Sequence, residues 1–435
     1  MNTPLRKTLC LVFLASLLPS VRAENWPQWR GPFLNGSTTE TGLPATFSAT
    51  ENVVWATDLP GPSGSTPIVW GDRVFVSSLD VRTKDLVGLC LDARTGEVLW
   101  RFKAGENERR FRDNDGSSPS PVTDGQTVWF YYGTSDLLAF DFDGKLLWRR
   151  KLEQTHGHNA LMFGYSSSPL LYEGKLYIIA LRNKRPNRYR SSTETQPTPS
   201  YLLAIDPRTG KDLWRQDRPT DARDEAQEAY STAIPLERDG RSEILVFGAD
   251  YLTAHDPDTG RETWRWATYN PTHIHHWRII PSPVVGAGLV YVVGPKYSTM
   301  FAIRPGRQGT VRRDHVAWTF DDHIPDASTP LFYRGRLYVV EDNKKILTCL
   351  DPESGRPLWQ GRIGGRAVIR ASLTGADGKL YVINERGEAF VLAAGDEFRL
   401  LHTAAMGGRR VRSTIAAAQS KLFVRTSEKL FCIQK

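Results

Sequence analysis

Two His-x-His pairs, His156/His158 and His273/His275, have the spacing that can hold a metal ion. On extended backbone the two imidazoles of such a pair project to one side, as strand-borne zinc ligands do. Two pairs from different parts of the chain, completed by a carboxylate such as Glu228 or Asp322, would make a transition-metal site. The competing expectation is that neutral imidazoles serve as ordinary loop hydrogen-bonders. A second set is cationic. Arg112, Arg278, Arg370 and Arg412 can grip a carboxylate or phosphate in bidentate fashion, or can pair with neighbouring Asp and Glu residues. Asp115, Tyr165, Tyr230, His276 and His323 lie in the same polar segments, which hold six of the nine histidines. No Gly-x-Gly-x-x-Gly, phosphate loop, His-Glu-x-x-His or Gly-x-Ser-x-Gly motif is present. Asp113-Asn-Asp-Gly116 resembles a fragment of a calcium loop but lacks its twelve-residue spacing.

These segments fall between copies of a repeat. The clearest copy is Leu202–Trp214, LLAIDPRTGKDLW, and related stretches end at Trp100, Trp148, Trp264 and Trp359. Looser copies end at Trp318 and near Leu400. The clear copies pair an apolar, strand-forming run with an Asp-to-Gly turn, most often Asp-x-x-x-Gly, in which the glycine supplies a left-handed residue. The recurrent Trp predicts a repeated packing role between units rather than cofactor stacking. Each unit opens on a Ser-Pro-like signature: Ser65-Thr-Pro67, Ser118-Pro-Ser-Pro121, Ser167-Ser-Pro169, Ser231-Thr-Ala233, Ser282-Pro283, Ser328-Thr-Pro330, Ala371-Ser-Leu373 and Ser413-Thr-Ile415. A period of about 40 to 50 residues over eight openings predicts an all-β, eight-bladed β-propeller of four-stranded antiparallel blades. Asn52–Asp58 reads as an outgoing strand with no hairpin before it, and the C-terminal strands have none after them. The N-terminal strand is therefore expected to complete the last blade and close the ring. In such a ring the polar segments converge at the mouth of a central funnel, the expected binding site.

The remaining regions bound the reading. Arg6 and Lys7 precede an apolar run, Leu9–Leu18, then Val21-Arg-Ala23, which is the pattern of a secretory signal peptide cleaved after about Ala23. The run is too short to span a membrane. No Cys follows the cleavage site to carry a lipid anchor, so a periplasmic or cell-surface location is expected. The expected organisation is residues 1–23 signal peptide, 24–50 an extended segment lying across the outside of the fold, and 51–435 propeller. The net charge is +8 over 435 residues. The first 23 residues hold three bases and no acid, leaving +5, too mild and dispersed to indicate nucleic acid. Cys90, Cys349 and Cys432 share one repeat position that elsewhere holds Ala, so they read as buried free thiols. Residues 182–200 form a basic insertion, expected to be a solvated loop or a contact for an acidic partner.

The repeat xLxAxDxxTGxxxW with its Ser-Pro opening resembles the pyrroloquinoline quinone (PQQ) enzyme repeat. That repeat is shared by PQQ-dependent alcohol dehydrogenases and by the non-enzymatic propeller lipoprotein of the outer-membrane β-barrel assembly machine. The start NWPQWRGP is similar to secreted bacterial PQQ-binding-like propeller proteins. For the dehydrogenases the resemblance implies an adjacent Cys-Cys disulfide, Glu, Asn and Asp ligands for calcium, and an Asp base. This chain has no neighbouring cysteines, and the ligand set matches no motif in it. The favoured reading is thus an exported, non-catalytic, monomeric platform that presents its funnel to a protein partner or a small polar or anionic ligand, with no firm cofactor. The alternatives are a PQQ-dependent oxidoreductase, with calcium, and a metal-dependent enzyme at the His-rich funnel.

Overall fold

The computed structural model describes residues 24–107, 113–189, 192–267 and 269–435. Eight antiparallel sheets are arranged as the blades of a ring. In the first, Ile68–Trp70, Arg73–Leu79, Asp85–Asp92 and Val98–Glu106 pair in chain order. In the last, Val53–Asp58 pairs antiparallel with Lys429–Ile433, so the two ends of the chain share one blade and the ring has no open edge. The blade of Ile234–Ala267 gains a fifth strand, Gly309–Val311, which runs parallel to Glu262–Ala267. Its source is the loose repeat ending at Trp318, which lacks the Asp-x-x-x-Gly turn and reaches back to the preceding blade instead.

The repeat residues lock blade to blade. The indole N–H of Trp55 donates to Ala93 O at 3.1 Å, Trp100 to Phe142 O at 3.0 Å, Trp148 to Pro207 O at 2.9 Å, and Trp318 to Pro352 O at 2.9 Å. Each acceptor is the carbonyl just after the Asp position in the next blade's turn. The Trp face covers the turn glycine. A Cβ on Gly210 would stand 2.7 Å from the Trp148 ring, so this glycine is required by its φ of +70° and by the close approach together. Trp264 departs from the pattern and donates to Glu243 Oε2 at 3.0 Å, because the blade after it has no such turn. Cys90, Cys349 and Cys432 are free and buried in this packing.

The Ser-Pro openings form a second, inner ring. The backbone N–H of each residue donates to the hydroxyl of its counterpart in the next blade: Thr66 to Ser120, Ser120 to Ser168, Ser168 to Thr232, Thr232 to Ser282, Ser282 to Thr329, and Thr329 to Ser372, at 2.8 to 3.1 Å. A following proline holds several of these residues extended, which aims the N–H along the ring.

Two segments differ from expectation. Residues 24–50 do not all lie outside the fold; their first part crosses the axis, while Phe47 O accepts from His402 on an outermost strand. Trp26 exchanges backbone hydrogen bonds with Val69, Pro27 O accepts from Thr123, and Gln28 pairs with Leu171. Arg30, buried, then reaches Leu373 O and Pro330 O on the far side of the ring. The chain thereby plugs the channel, because the inner strands leave backbone groups there that need partners. The basic insertion is also tied down. Arg182 is buried and donates to the carbonyls of His156, Gly157 and Pro199, and Arg185 and Arg188 pair with the chain's own Asp224. No described helix is long and apolar enough to cross a membrane.

Candidate functional site

Inside the hydroxyl ring lies an axial cavity of about 170 Å³, partly open to solvent. Its wall is the ring itself, Ser120, Ser168, Thr232, Ser282, Thr329, Ser372 and Thr414. Trp29, carried in by the N-terminal plug, contributes an aromatic surface, and Phe163 and Tyr230 add two more. Three of the candidate cations, Arg278, Arg370 and Arg412, line the same space, with Asp113 and Asn114.

The three guanidinium groups are committed to different degrees. Arg412 is fully engaged: Nε donates to Glu385 Oε1 at 2.7 Å, Nη1 to Asp113 O at 3.1 Å and Nη2 to Asp113 Oδ1 at 3.2 Å. Arg370 Nε stands 3.3 Å from Glu385 Oε1. Arg278 is buried, and its Nη2 donates to Asp326 Oδ2 at 3.0 Å. Its Nη1 and Nε have no hydrogen-bond partner, although Nε stands 3.6 Å from Glu225 Oε1. The Phe163 ring packs 5.2 Å from its guanidinium carbon. Burial alone would raise the Asp113 carboxyl, but Arg412, Arg370 and Arg410 hold it below the usual carboxylate range.

Behind the wall, Tyr230 donates to Glu228 Oε2 at 3.1 Å and accepts from the Phe163 N–H at 3.2 Å. Glu228 is fully buried; it accepts from the Met162 N–H at 2.8 Å and from the Tyr189 hydroxyl. Burial pushes its carboxyl up to about 7. Asp342, which accepts from the N–H of the wall residue Ala327 at 3.0 Å, is likewise pushed up to about 7, by burial and then by neighbouring Asp326.

The other sequence candidates are placed elsewhere. His156 Nε2 lies 3.2 Å from Asp212, and His158 Nδ1 lies 3.2 Å from Glu153. His273 faces Asp221 and Asp250, His323 faces Asp322, and His275 and His276 are exposed. None of these histidines lines the cavity, so the two His-x-His pairs do not meet at the axis. Tyr165 is a core residue whose hydroxyl donates to Ile179 O at 2.6 Å, and Asp115 accepts from Ser117 beneath the surface. Arg112 lies outside the described residues. The wall residues missed in the sequence are Trp29 and Phe163, and Asn114 entered only as part of the calcium-loop-like fragment.

Residues 37–195 and 199–435 match the family described as Outer membrane protein assembly factor BamB. The chain belongs to this family. Among sequence relatives, a polyvinylalcohol dehydrogenase of Pseudomonas sp is 26% identical over 194 residues, 44% of this chain and 29% of that protein. This chain thus spans less than a third of the relative's length. Among solved structures, BamB from Moraxella catarrhalis superposes with a TM-score of 0.59 at 14% identity, covering 88% of this chain and 97% of that one. The quinohemoprotein alcohol dehydrogenase from Comamonas testosteroni superposes with a TM-score of 0.64 at 13% identity, covering 94% of this chain and 80% of that one. At such identities the structures establish a shared fold. The sequence match corrects the expectation of a non-catalytic platform, since the relative is by name a dehydrogenase.

Proposed function

We propose that the protein is an oxidoreductase that binds PQQ in the axial cavity and oxidises an alcohol there. The observation that carries this reading is Arg278, a buried guanidinium with unpartnered N–H donors at a cavity that also holds Arg370, Arg412 and the Trp29 ring. PQQ is a flat, tricarboxylate ortho-quinone. Its carboxylates suit the arginines, which form charge-assisted bidentate pairs, and its ring plane suits the aromatic wall. Asp113, which also pairs with Arg410 and Arg412, and Asn114 are the carboxylate and amide oxygens on the wall that a calcium ion would draw on. When bound, PQQ supplies a two-electron acceptor that is reduced to the quinol as the alcohol carbon becomes a carbonyl.

The chain's own part is to position the reactants and move a proton. Arg278 and Arg370 orient the anion, and the plug bearing Trp29 narrows the access of water to the channel. The alcohol proton passes to Tyr230 Oη as the tyrosine gives its own proton to Glu228 Oε2. Glu228 accepts it because a carboxyl held near 7 is matched to a neutral working pH. The missing Cys pair counts only against sharing every feature of the known quinoproteins. The apolar run Leu9–Leu18 supports export, with the working protein outside the cytoplasm.

The test is a titration of the protein, freed of residues 1–23, with PQQ in the presence and absence of calcium, read by Trp fluorescence. Dye-linked oxidation of secondary alcohols, including poly(vinyl alcohol), is measured alongside. Saturable quenching at micromolar PQQ with dye reduction supports the reading. Absence of quenching up to millimolar PQQ overturns it.

A further inference from the structure

Away from the cavity, Asp221, Asp250 and His273 are brought together from three separate loops, and each offers a ligand atom within 4.8 Å of the others. Asp250 is fully buried, and its Oδ2 has no hydrogen-bond partner. That oxygen points at His273 Nδ1, 3.6 Å away, which is itself unpartnered. The other ring nitrogen, Nε2, stands 3.7 Å from Asp221 Oδ2. Both separations are too long for hydrogen bonds. An imidazole gives a single ion only one nitrogen, so an ion would take Nδ1 beside Asp250 or Nε2 beside Asp221, with the other carboxylate turning toward it. One ligand atom from each residue already lies within 4.8 Å of the others, against about 3.4 Å between neighbouring ligand atoms of a tetrahedral zinc shell with bonds of about 2.1 Å.

Outer partners orient both carboxylates toward the histidine. The Asn270 side-chain amide donates to Asp250 Oδ1 at 2.9 Å, and the Tyr251 hydroxyl donates to Asp221 Oδ1 at 2.9 Å. In each case one oxygen is fixed and the other is left facing His273. Outer hydrogen bonds of this kind hold the ligands of metal sites in place. Asp221 is exposed and His273 is partly so, which leaves the group open to an ion from solvent and leaves room for a water as fourth ligand.

We propose that Asp221, Asp250 and His273 form a binding site for one divalent transition-metal ion of the zinc class. An imidazole with two carboxylates favours such an ion over calcium or magnesium, which prefer all-oxygen shells. The ion would clip the loop 269–278, which carries Arg278, to the Asp250 turn and the Asp221 loop. The site goes beyond the proposed oxidoreductase activity and does not depend on it.

The experiment is calorimetric titration of chelator-treated protein with Zn²⁺, together with the visible spectrum of the Co²⁺-loaded protein. One ion per chain and a Co²⁺ spectrum of tetrahedral intensity are expected. Asp221→Asn changes an exposed side chain and preserves the fold. It is expected to weaken Zn²⁺ binding by about tenfold or more, and His273→Gln is expected to abolish the tetrahedral Co²⁺ bands. The proposal is overturned by the absence of stoichiometric Zn²⁺ binding, by tighter binding of Ca²⁺ than of Zn²⁺, or by Zn²⁺ binding that survives in Asp221→Asn but is lost in His276→Gln.

Discussion

Arg278 Nη2 donates to Asp326 Oδ2 at 3.0 Å, while its Nη1 has no hydrogen-bond partner. One side of this buried guanidinium is therefore fixed by its own carboxylate and the other side remains available at the cavity. The contrast with Arg412, whose nitrogens are occupied by Glu385 and Asp113, sets an order. Arg278→Gln is expected to weaken PQQ binding by about 10- to 100-fold, on the order of 1.5–3 kcal/mol for a charge-assisted bond. Arg412→Gln is expected to weaken it less and to lower stability more, since it breaks an ion-pair network. Fluorescence titration beside urea unfolding reads both effects. Equal effects of the two substitutions on affinity would refute the order.

The Trp-on-Gly lock between blades can be weighed within a single blade. Gly335 and Gly355 both have positive φ, +69° and +71°. Nothing lies within 4 Å of a Cβ built on Gly335, whereas one on Gly355 would stand 2.5 Å from the Trp318 ring. Gly335→Ala is expected to cost only the left-handed backbone term, about 1 kcal/mol. Gly355→Ala adds displacement of Trp318, for a total of about 3 kcal/mol or more. The difference in urea midpoint measures the lock. No difference would mean that the Trp ring moves aside freely.

The architecture was legible because its signals are local and repeated. A turn glycine, a Trp and a Ser-Pro opening each act within one blade or against the next, so the recurring copies reinforce one another. Ring closure was legible too, from an unpaired strand at each end of the chain. The site was only partly so. Tyr230, Arg278, Arg370 and Arg412 lie on the cavity wall as expected, because residues beside the openings must face the axis. Trp29 was not legible there, since nothing near it in sequence shows that residues 26–30 cross the channel. The His-x-His pairs misled for a related reason. Spacing of two places residues on one side only when the backbone is extended, and residues 153–156 form a helical turn instead. His273 has a left-handed φ of 53°, which turns its ring toward Asp221 and Asp250.

The inner hydroxyl ring predicts a distributed cost. Ser282 Oγ accepts the Thr232 N–H at 2.8 Å, and both residues are buried. Ser282→Ala leaves that N–H without a partner, which costs about 1–3 kcal/mol. Ser282→Thr keeps the acceptor, as the threonines already in the ring do, and is expected to cost less. Two such Ala substitutions on opposite sides of the ring are expected to add, because they share no partner. Thermal or urea unfolding checks all three. A neutral Ser282→Ala would mean that water from the cavity replaces the hydroxyl.

Glu228 links stability and activity with opposite signs. Its carboxyl is raised from 4.5 to about 7 by burial. Between those two values the folded protein holds a proton that the unfolded chain has released, so stability falls as pH rises through this window and stays reduced above it. Glu228→Gln keeps an oxygen for the Met162 N–H and the Tyr230 hydroxyl and removes the buried charge. The variant is expected to be more stable than the parent at pH 8, by up to about 3 kcal/mol, and to match it near pH 4.5, where both forms are neutral. Turnover moves the other way. If Glu228 takes the alcohol proton through Tyr230, only the ionised form works, so kcat/KM rises with pH through about 7. The same substitution then lowers turnover by about 10²- to 10⁴-fold and removes that limb of the profile. A variant with raised stability at pH 8 and an intact pH–rate limb would keep Glu228 as a buried acid and move the proton acceptor elsewhere, with Asp342 the next group to replace.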